Sequence, residues 1–297
     1  LKGVIQTVTG KIKANALGNT LPHEHIMVDF IGASDVSPLR YDPREVYQRA
    51  LPFLNDIRSR GCNAFFDCTP AYLGRDVTIL QQLSKSSGIR IITNTGLYGA
   101  RDNAFIPWNL MQKNAGQLAS MWIKEAKQGI DGTNILPGFI KIGVDKGSLT
   151  TFHSTLAEAA ALTHLKTGLT IASHTGPSEA AYQQVEILRK SKVSPDAFIW
   201  VHAQEESDNQ HHVALAKQGV WVEFDGISEK TESIERHLNH LMAMKSANLL
   251  HKVLISQDSG WYNVGEPNGG NFNSFNAIYD LFVPAMRKHQ FTEDEIE

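Results

Sequence analysis

Cysteine is scarce: 297 residues hold two, Cys62 and Cys68. They fall in what reads as one strand, where a rise of about 3.3 Å per residue separates them by roughly 20 Å, too far to bridge. A disulfide-stapled fold is thereby excluded, and a reducing, cytoplasmic setting is mildly favoured. An excess of one charge is also lacking. Lys and Arg number 28 against 31 Asp and Glu, a net charge of -3. Without a basic footprint, nucleic acid is not an expected partner. No apolar run reaches the roughly 18 residues of a membrane span, so no membrane partner is expected either. G-x-x-x-x-G-K-[ST] and a G-x-G-x-x-G after a first strand are missing, as are G-x-S-x-G and H-E-x-x-H. Phosphate loops, the serine-hydrolase elbow and one class of zinc protease go with them.

The ends carry their own expectations. Leu1-Lys2-Gly3 is neither an initiator methionine nor a signal peptide, which suggests a removed leading segment and keeps an exported form open. Thr292 and Glu295 have capping-box spacing, yet the chain stops at Glu297. A last helix is expected to be cut off there.

What is present is bulk and rhythm. Hydrophobic residues make up 42% and charged residues 20%, as in a chain with a packed core. At about 150 residues per domain the length suggests two domains; one α/β barrel of about 250 residues fits equally. Apolar runs predict strands at 19–21, 63–69, 90–95, 138–144, 169–174, 198–202, 220–224 and 253–258. Helical patterns fall between them at 43–60, 76–86, 115–128, 152–166, 178–190, 207–217 and 231–250. Gly61, Gly88, Gly129, Gly168 and Gly219 follow helices as stop signals. Eight strands alternating with helices, with no linker or repeat break, predict one (β/α)8 barrel domain over 1–297. Irregular stretches at 31–42, 97–109 and 259–273 then lie on the C-terminal face, where barrel active sites sit.

Polar residues cluster at those strand ends: His23-Glu24-His25, Asp67, Lys141, His174, His202 and Asp258. Alternation along a strand puts His23 and His25 on one side, about 6.6 Å apart, and Glu24 on the other. H-x-H alone is a weak signal. Two more strand-end histidines, in Ile171-Ala-Ser-His174 and Ile199-Trp-Val-His202, shift the balance toward a metal centre, with Asp258 as ligand and proton acceptor. Lys141 stands inside Gly138-Phe-Ile-Lys-Ile-Gly-Val144, where an unpaired ammonium would cost several kcal/mol. Three readings stay open on residue type: an ion pair with Asp67 or Asp145, a Schiff-base nucleophile, or a carbamate formed with CO2 that bridges two cations. His237 and His240 are neighbours on a helix without a third ligand, and His211-His212 is placed on a solvated helix face. His153, His164, His251 and His289 fall on helices or loops, and none of these is given a catalytic role.

Taken together, Leu21-Pro-His-Glu-His25, Gly138-Phe-Ile-Lys141, Ser173-His174-Thr175, Val201-His202 and Ile255-Ser-Gln-Asp258 resemble the phosphotriesterase family of the amidohydrolase superfamily. Ile5-Gln-Thr-Val-Thr-Gly10 and Gly18-Asn-Thr-Leu21 add to the likeness, which runs along nearly the whole chain. The resemblance implies a TIM barrel with two divalent metals bridged by N6-carboxylated Lys141 and a hydroxide. It places His23, His25 and Asp258 on the more buried metal and His174 and His202 on the more exposed one. Zinc suits the mix of imidazole and carboxylate. Tyr98, in Thr95-Gly-Leu-Tyr98, matches a tyrosine that lactone-hydrolysing relatives place beside the metals. The arginine such relatives carry after strand seven is missing from Glu223-Phe-Asp-Gly-Ile227.

The activity implied is hydrolysis of a small lactone or carboxylic ester, with phosphotriesters as a side activity. Asp258 and Tyr98 are the catalytic candidates, and Tyr98, Trp261 and Tyr262 the substrate-binding ones. A phosphate-ester hydrolase, a Schiff-base aldolase and a non-catalytic metal-containing barrel are the competing readings. A homodimer is compatible with all of them.

Overall fold

The computed structural model describes residues 3–297. Leu1 and Lys2, on which the expectation of a removed leader rests, lie outside the described residues. An antiparallel hairpin, β1 (Val4–Thr7) and β2 (Gly10–Lys13), precedes the barrel. Then come β3 (Thr20–Val28), α1 (Pro43–Ser59), β4 (Ala64–Asp67), α2 (Val77–Ser87), β5 (Arg90–Ile92) and β6 (Asn94–Thr95). They are followed by α3 (Trp108–Met111), α4 (Ala115–Gln128), β7 (Phe139–Gly143), α5 (Thr151–Thr167), β8 (Ile171–His174), α6 (Ser178–Lys190) and β9 (Phe198–Val201). The chain continues through α7 (Asn209–Lys217), β10 (Trp221–Phe224), α8 (Thr231–Ser246), β11 (Val253–Ile255) and β12 (Gly260–Asn263). A π-turn (Ile278–Phe282), α9 (Val283–Lys288) and α10 (Glu293–Ile296) complete it.

All strands after the hairpin pair in parallel, in the orders β12-β3-β4-β5 and β6-β7-β8-β9-β10-β11. The two ladders join at both ends. β5 and β6 are one strand interrupted at Thr93. At the other seam the Asp258 N–H donates to the His23 carbonyl (3.1 Å), and the His23 N–H donates to Ser256 Oγ (3.0 Å). This is the (β/α)8 barrel expected from the alternation.

Local chemistry sets the helix ends. Asp42 accepts from the Arg44 N–H and Pro43 opens α1, whose buried face carries Val46, Ala50, Leu54 and Ile57 at helical spacing. Asn114 and Gln117 form a reciprocal capping box at α4, and Thr292 and Glu295 do the same at α10. Inside the barrel floor, Ala64, Cys68, Ile92, Phe139, Ala172 and Val201 form a small cluster of their own, apart from the larger core between sheet and helices. Both cysteines are free and buried.

Three boundaries differ from the sequence expectation, and each bears on the site. The first strand runs on to Val28, so His23 and His25 lie within it; a register shift between Leu21 and Glu24 re-aims them. The eighth strand stops at Ile255, and Asp258 sits beyond the ladder at φ 51°. Part of the last long loop forms β12, which pairs with β3 through Gly260 and His25.

Candidate metal centre

His23 and His25 enter from β3, Lys141 from β7, His174 from the end of β8, His202 just past β9 and Asp258 beyond β11. The barrel brings them to one point. Ring centroids lie 5.4 Å apart for His23 and His25, 5.1 Å for His23 and His202, and 4.3 Å for His174 and His202. Lys141 Nζ lies 3.3 Å from His23 Nε2. Asp258 Oδ1 is 3.0 Å from His25 Nε2 and 3.7 Å from His23 Nε2. His23, His202 and Asp258 offer donor atoms within 4.8 Å of one another.

The outward nitrogens are already committed. His23 Nδ1 meets Glu223 Oε1 at 2.7 Å, His25 Nδ1 meets Thr69 Oγ1 at 2.7 Å, and His202 Nδ1 meets Asp225 Oδ1. Holding one ring nitrogen fixes ring orientation and tautomer and leaves the Nε2 lone pairs directed inward, as in metal centres. Asp258 Oδ1, though buried, is without a properly aligned hydrogen-bond donor among the described residues. A buried anionic oxygen facing several imidazole lone pairs suits a cation, and the donor set fits a divalent metal.

Electrostatics agree with that picture. Burial, followed by the charges of Lys141 and the other histidines, holds His23 well below its usual range; burial, His202 and Lys141 do the same to His174. Neutral imidazole is the form that ligates. Burial also pulls His202 down, but Asp225 outweighs it and the net shift is upward. Burial works to raise Asp258, but His25 close beside it and the charges of His25 and His202 bring it below the ordinary carboxylate range. Glu24 points away from the centre, as alternation predicts. Its carboxyl is raised to about 8 by burial, against hydrogen bonds from Ser259, Ser256 and Gln257.

Two glycines make the close packing possible. A Cβ on Gly96 (φ +125°) would sit 2.0 Å from the Lys141 carbonyl, and one on Gly260 (φ +94°) 2.0 Å from that of His25. His202, Asp258 and Trp261 themselves adopt positive φ. Such backbone costs about 1–3 kcal/mol per residue and gathers where function requires it.

Lys141 pairs with neither Asp67 nor Asp145. Asp67 accepts from the Ile26 and Thr69 N–H groups, and Asp145 from those of Arg101 and Asp102. Tyr98 is at the centre: its hydroxyl lies 3.3 Å from both His174 ring nitrogens. Trp261 packs edge-on against His25 (5.2 Å), and its Nε1–H donates to the Asp258 carbonyl. Tyr262 is not at the centre. Successive residues of β12 face opposite ways, and Tyr262 is buried toward α1, donating its hydroxyl to Glu45 (2.7 Å). The expectation that Tyr262 binds substrate is corrected by that alternation.

Sequence reading missed Thr69, Glu223 and Asp225, which orient the rings. A signal for the last two was present: acidic residues two apart, flanking Phe224 in an apolar strand, must both face inward.

A parallel (β/α)8 barrel with convergent imidazoles and a carboxylate at its C-terminal rim defines the class, a hydrolase-type barrel with a candidate metal centre. The family model for the phosphotriesterase family matches residues 3–297, and the chain belongs to that family. A phosphotriesterase homology protein of Escherichia coli (strain K12) is 27% identical over 282 residues, 94% of each chain. An aryldialkylphosphatase of Saccharolobus solfataricus is 26% identical over 250 residues, 83% of this chain and 78% of that one. The crystal structure of a mutant Deinococcus radiodurans PTE-like lactonase superposes with a TM-score of 0.86 at 26% identity, covering 98% of this chain and 96% of that chain. The chain is thus a hydrolase of this family.

Proposed function

We propose that the protein uses two divalent cations, zinc by donor type, to hydrolyse a lactone or simple carboxylic ester. The observation that carries this reading is the convergence of Nε2 atoms whose Nδ1 partners are already fixed. His23, His25 and Asp258 would hold one cation and His174 and His202 the other, with Lys141, carboxylated at Nζ, between them. When bound, such a pair would supply a nucleophile from water near neutral pH and polarise the substrate's carbonyl oxygen, making the attached carbon more electrophilic.

The protein's own residues do the rest. Glu223, Thr69 and Asp225 keep the imidazoles aimed before substrate arrives. Asp258, ionised and with 22% of its side chain exposed, takes the proton released as the nucleophile adds and passes it outward. Tyr98, half-buried against His174, presents its hydroxyl to the carbonyl side of the substrate. Trp261 offers an apolar wall at the mouth. The lactone reading draws support from the likeness to the Deinococcus PTE-like lactonase and from Tyr98. Phosphotriesters are assigned as side substrates, in line with the name of the Saccharolobus relative.

Metal analysis of the dialysed protein, followed by kcat/KM over lactones, aryl esters, phosphotriesters and phosphomonoesters, tests the reading. About two metal ions per chain and the highest kcat/KM on lactones or esters are expected. Full activity in metal-free protein would sink the metal reading. A phosphomonoester favoured by roughly a hundredfold, or a phosphotriester near the diffusion ceiling of about 10⁸ M⁻¹s⁻¹, would overturn the substrate choice.

A further inference from the structure

Arg101 has no part in the centre described above, yet two arms of aromatic rings lead to it from the histidines. On one side His25 touches Trp261 (5.2 Å), Trp261 touches Phe30 (5.5 Å), and the Arg101 guanidinium lies 5.2 Å from the Phe30 ring. On the other side His174 touches Tyr98 (4.9 Å), Tyr98 touches Phe105 (5.9 Å), and the guanidinium lies 5.7 Å from the Phe105 ring. Phe30 and Phe105 also touch each other (5.9 Å). The two arms meet where Phe30 touches Phe105, and the guanidinium lies against both rings there.

The position is built. Arg101, Asp102 and Asn103 all adopt positive φ (59°, 55° and 59°), an unfavourable run for three residues with side chains. It is pinned by the Asp145 carboxylate, which accepts from the Arg101 and Asp102 N–H groups at 2.6 and 3.2 Å. The loop is tied to the segment after Phe30 by the Ala33 N–H, which donates to the Ala104 carbonyl (2.9 Å). Asp145 is occupied by this backbone, and among the described residues the Arg101 side chain has no ion pair or hydrogen bond. Stacking uses the face of a guanidinium and leaves its N–H edge free for a planar anion.

We infer that Arg101 recognises an anionic group, a carboxylate or sulfonate, carried by the substrate at the end remote from the scissile bond. This deepens the hydrolase reading and rests on it for turnover. The preferred substrate is then an acyl compound with an apolar spacer that runs along the rings and a negative tail. The spacer spans two ring contacts, so an anion directly beside the scissile carbonyl would not reach. Beyond that, the role requires only the charge and the fork of Arg101.

Two measurements on the metal-loaded protein test it. The first compares kcat/KM for the 4-nitrophenyl monoester of decanedioic acid with that for 4-nitrophenyl decanoate, which share the leaving group. The wild type should favour the anionic ester. Arg101→Met should lower the anionic-to-neutral ratio at least tenfold, mainly through KM, and Arg101→Lys should restore part of it. A ratio unchanged in Arg101→Met overturns the inference and assigns the residue to covering Phe30. The second measurement is calorimetric binding of 1-pentanesulfonate, which needs no turnover. Affinity should fall at least tenfold in Arg101→Met and weaken with added salt in the wild type; equal affinity in the two proteins overturns the inference. If neither ester is cleaved, the ester reading fails, and the sulfonate titration still decides the role of Arg101.

Discussion

Histidine gathers in two places in this protein, and the two clusters differ in where their nitrogens go. In the barrel, Glu223, Thr69 and Asp225 take the Nδ1 atoms and the Nε2 atoms face one another. Between α7 and α8, His212 Nε2 meets the Ala203 carbonyl (2.8 Å), and His237 meets the carbonyls of Ser233 (2.7 Å) and Asp225 (2.8 Å). His212 and His240 share Asn209 Oδ1, and His240 stacks on Phe224 at 5.0 Å. Both clusters are buried, so burial does not distinguish them. A ring held at one nitrogen and open toward other donors is poised to ligate; a ring spent on backbone carbonyls is mortar. His240 is the intermediate case, since its Nε2 is buried without a partner among the described residues.

The comparison breaks most sharply at Lys141, whose Nζ lies among the inward imidazoles. Lys141→Ala should abolish activity and lower metal content, and a small carboxylic acid in the buffer should restore part of the activity. Lys141→Arg should not rescue, because a guanidinium repels the cations. Near-normal turnover in Lys141→Arg would rule out the carbamate bridge.

The next effect separates the two acids behind the rings. Asp225 is held below the ordinary carboxylate range: burial opposes this, but His202 and several hydrogen bonds prevail. Glu223 is pushed well above it by burial and by Asp225. Asp225→Asn removes a charge that its surroundings favour, whereas Glu223→Gln removes one that burial and Asp225 already disfavour. Losses of about 10–100-fold in metal affinity or activity are typical of such supports. Asp225→Asn should fall at the upper end and Glu223→Gln at the lower, as read by metal titration and kcat. Equal losses would show that geometry rather than charge matters.

The smallest effect belongs to the mortar. His240→Leu should leave metal content unchanged and alter stability at pH 7 by less than about 1 kcal/mol, because it removes an unpartnered buried nitrogen. Its pH dependence is more telling. Burial and neighbouring positive charge bring His240 down to about 4 from an ordinary 6.5. Between those values the unfolded chain binds the extra proton, so the wild type loses stability as pH falls from about 6.5 to 4. Urea titrations should show a smaller loss over that window in His240→Leu. Parallel slopes would exclude His240 as a contributor.

The sequence made the alternating architecture legible because continuous apolar runs and glycine stops mark βα units wherever they occur. Six of the histidine, lysine and aspartate positions could be placed at strand ends for the same reason. Tyr262 could not be separated from Trp261, because nothing in the residues foretold that the last loop would form a strand and turn them apart. His212 was misplaced on a solvated face because α7 is short and packs under α8, a tertiary fact its own nine residues do not encode. The ring-orienting acids were overlooked for a different reason. In segment 223–227 the absent arginine is the conspicuous feature, while Glu223 and Asp225 act only through other side chains, His23 and His202.

The seam of the barrel has a kinetic meaning. His23 and Ser256 meet across 233 positions of chain, and the same junction joins the first ligands to the last. No nascent fragment lacking β11 can assemble the cluster, so on the proposed reading metal capture would follow the slow, long-range closure that high contact order imposes. Any ligand that then binds both sides acts as a clasp across that junction. Amide exchange at Asp258 and along β3 would slow most on loading, more than in strands on the far wall.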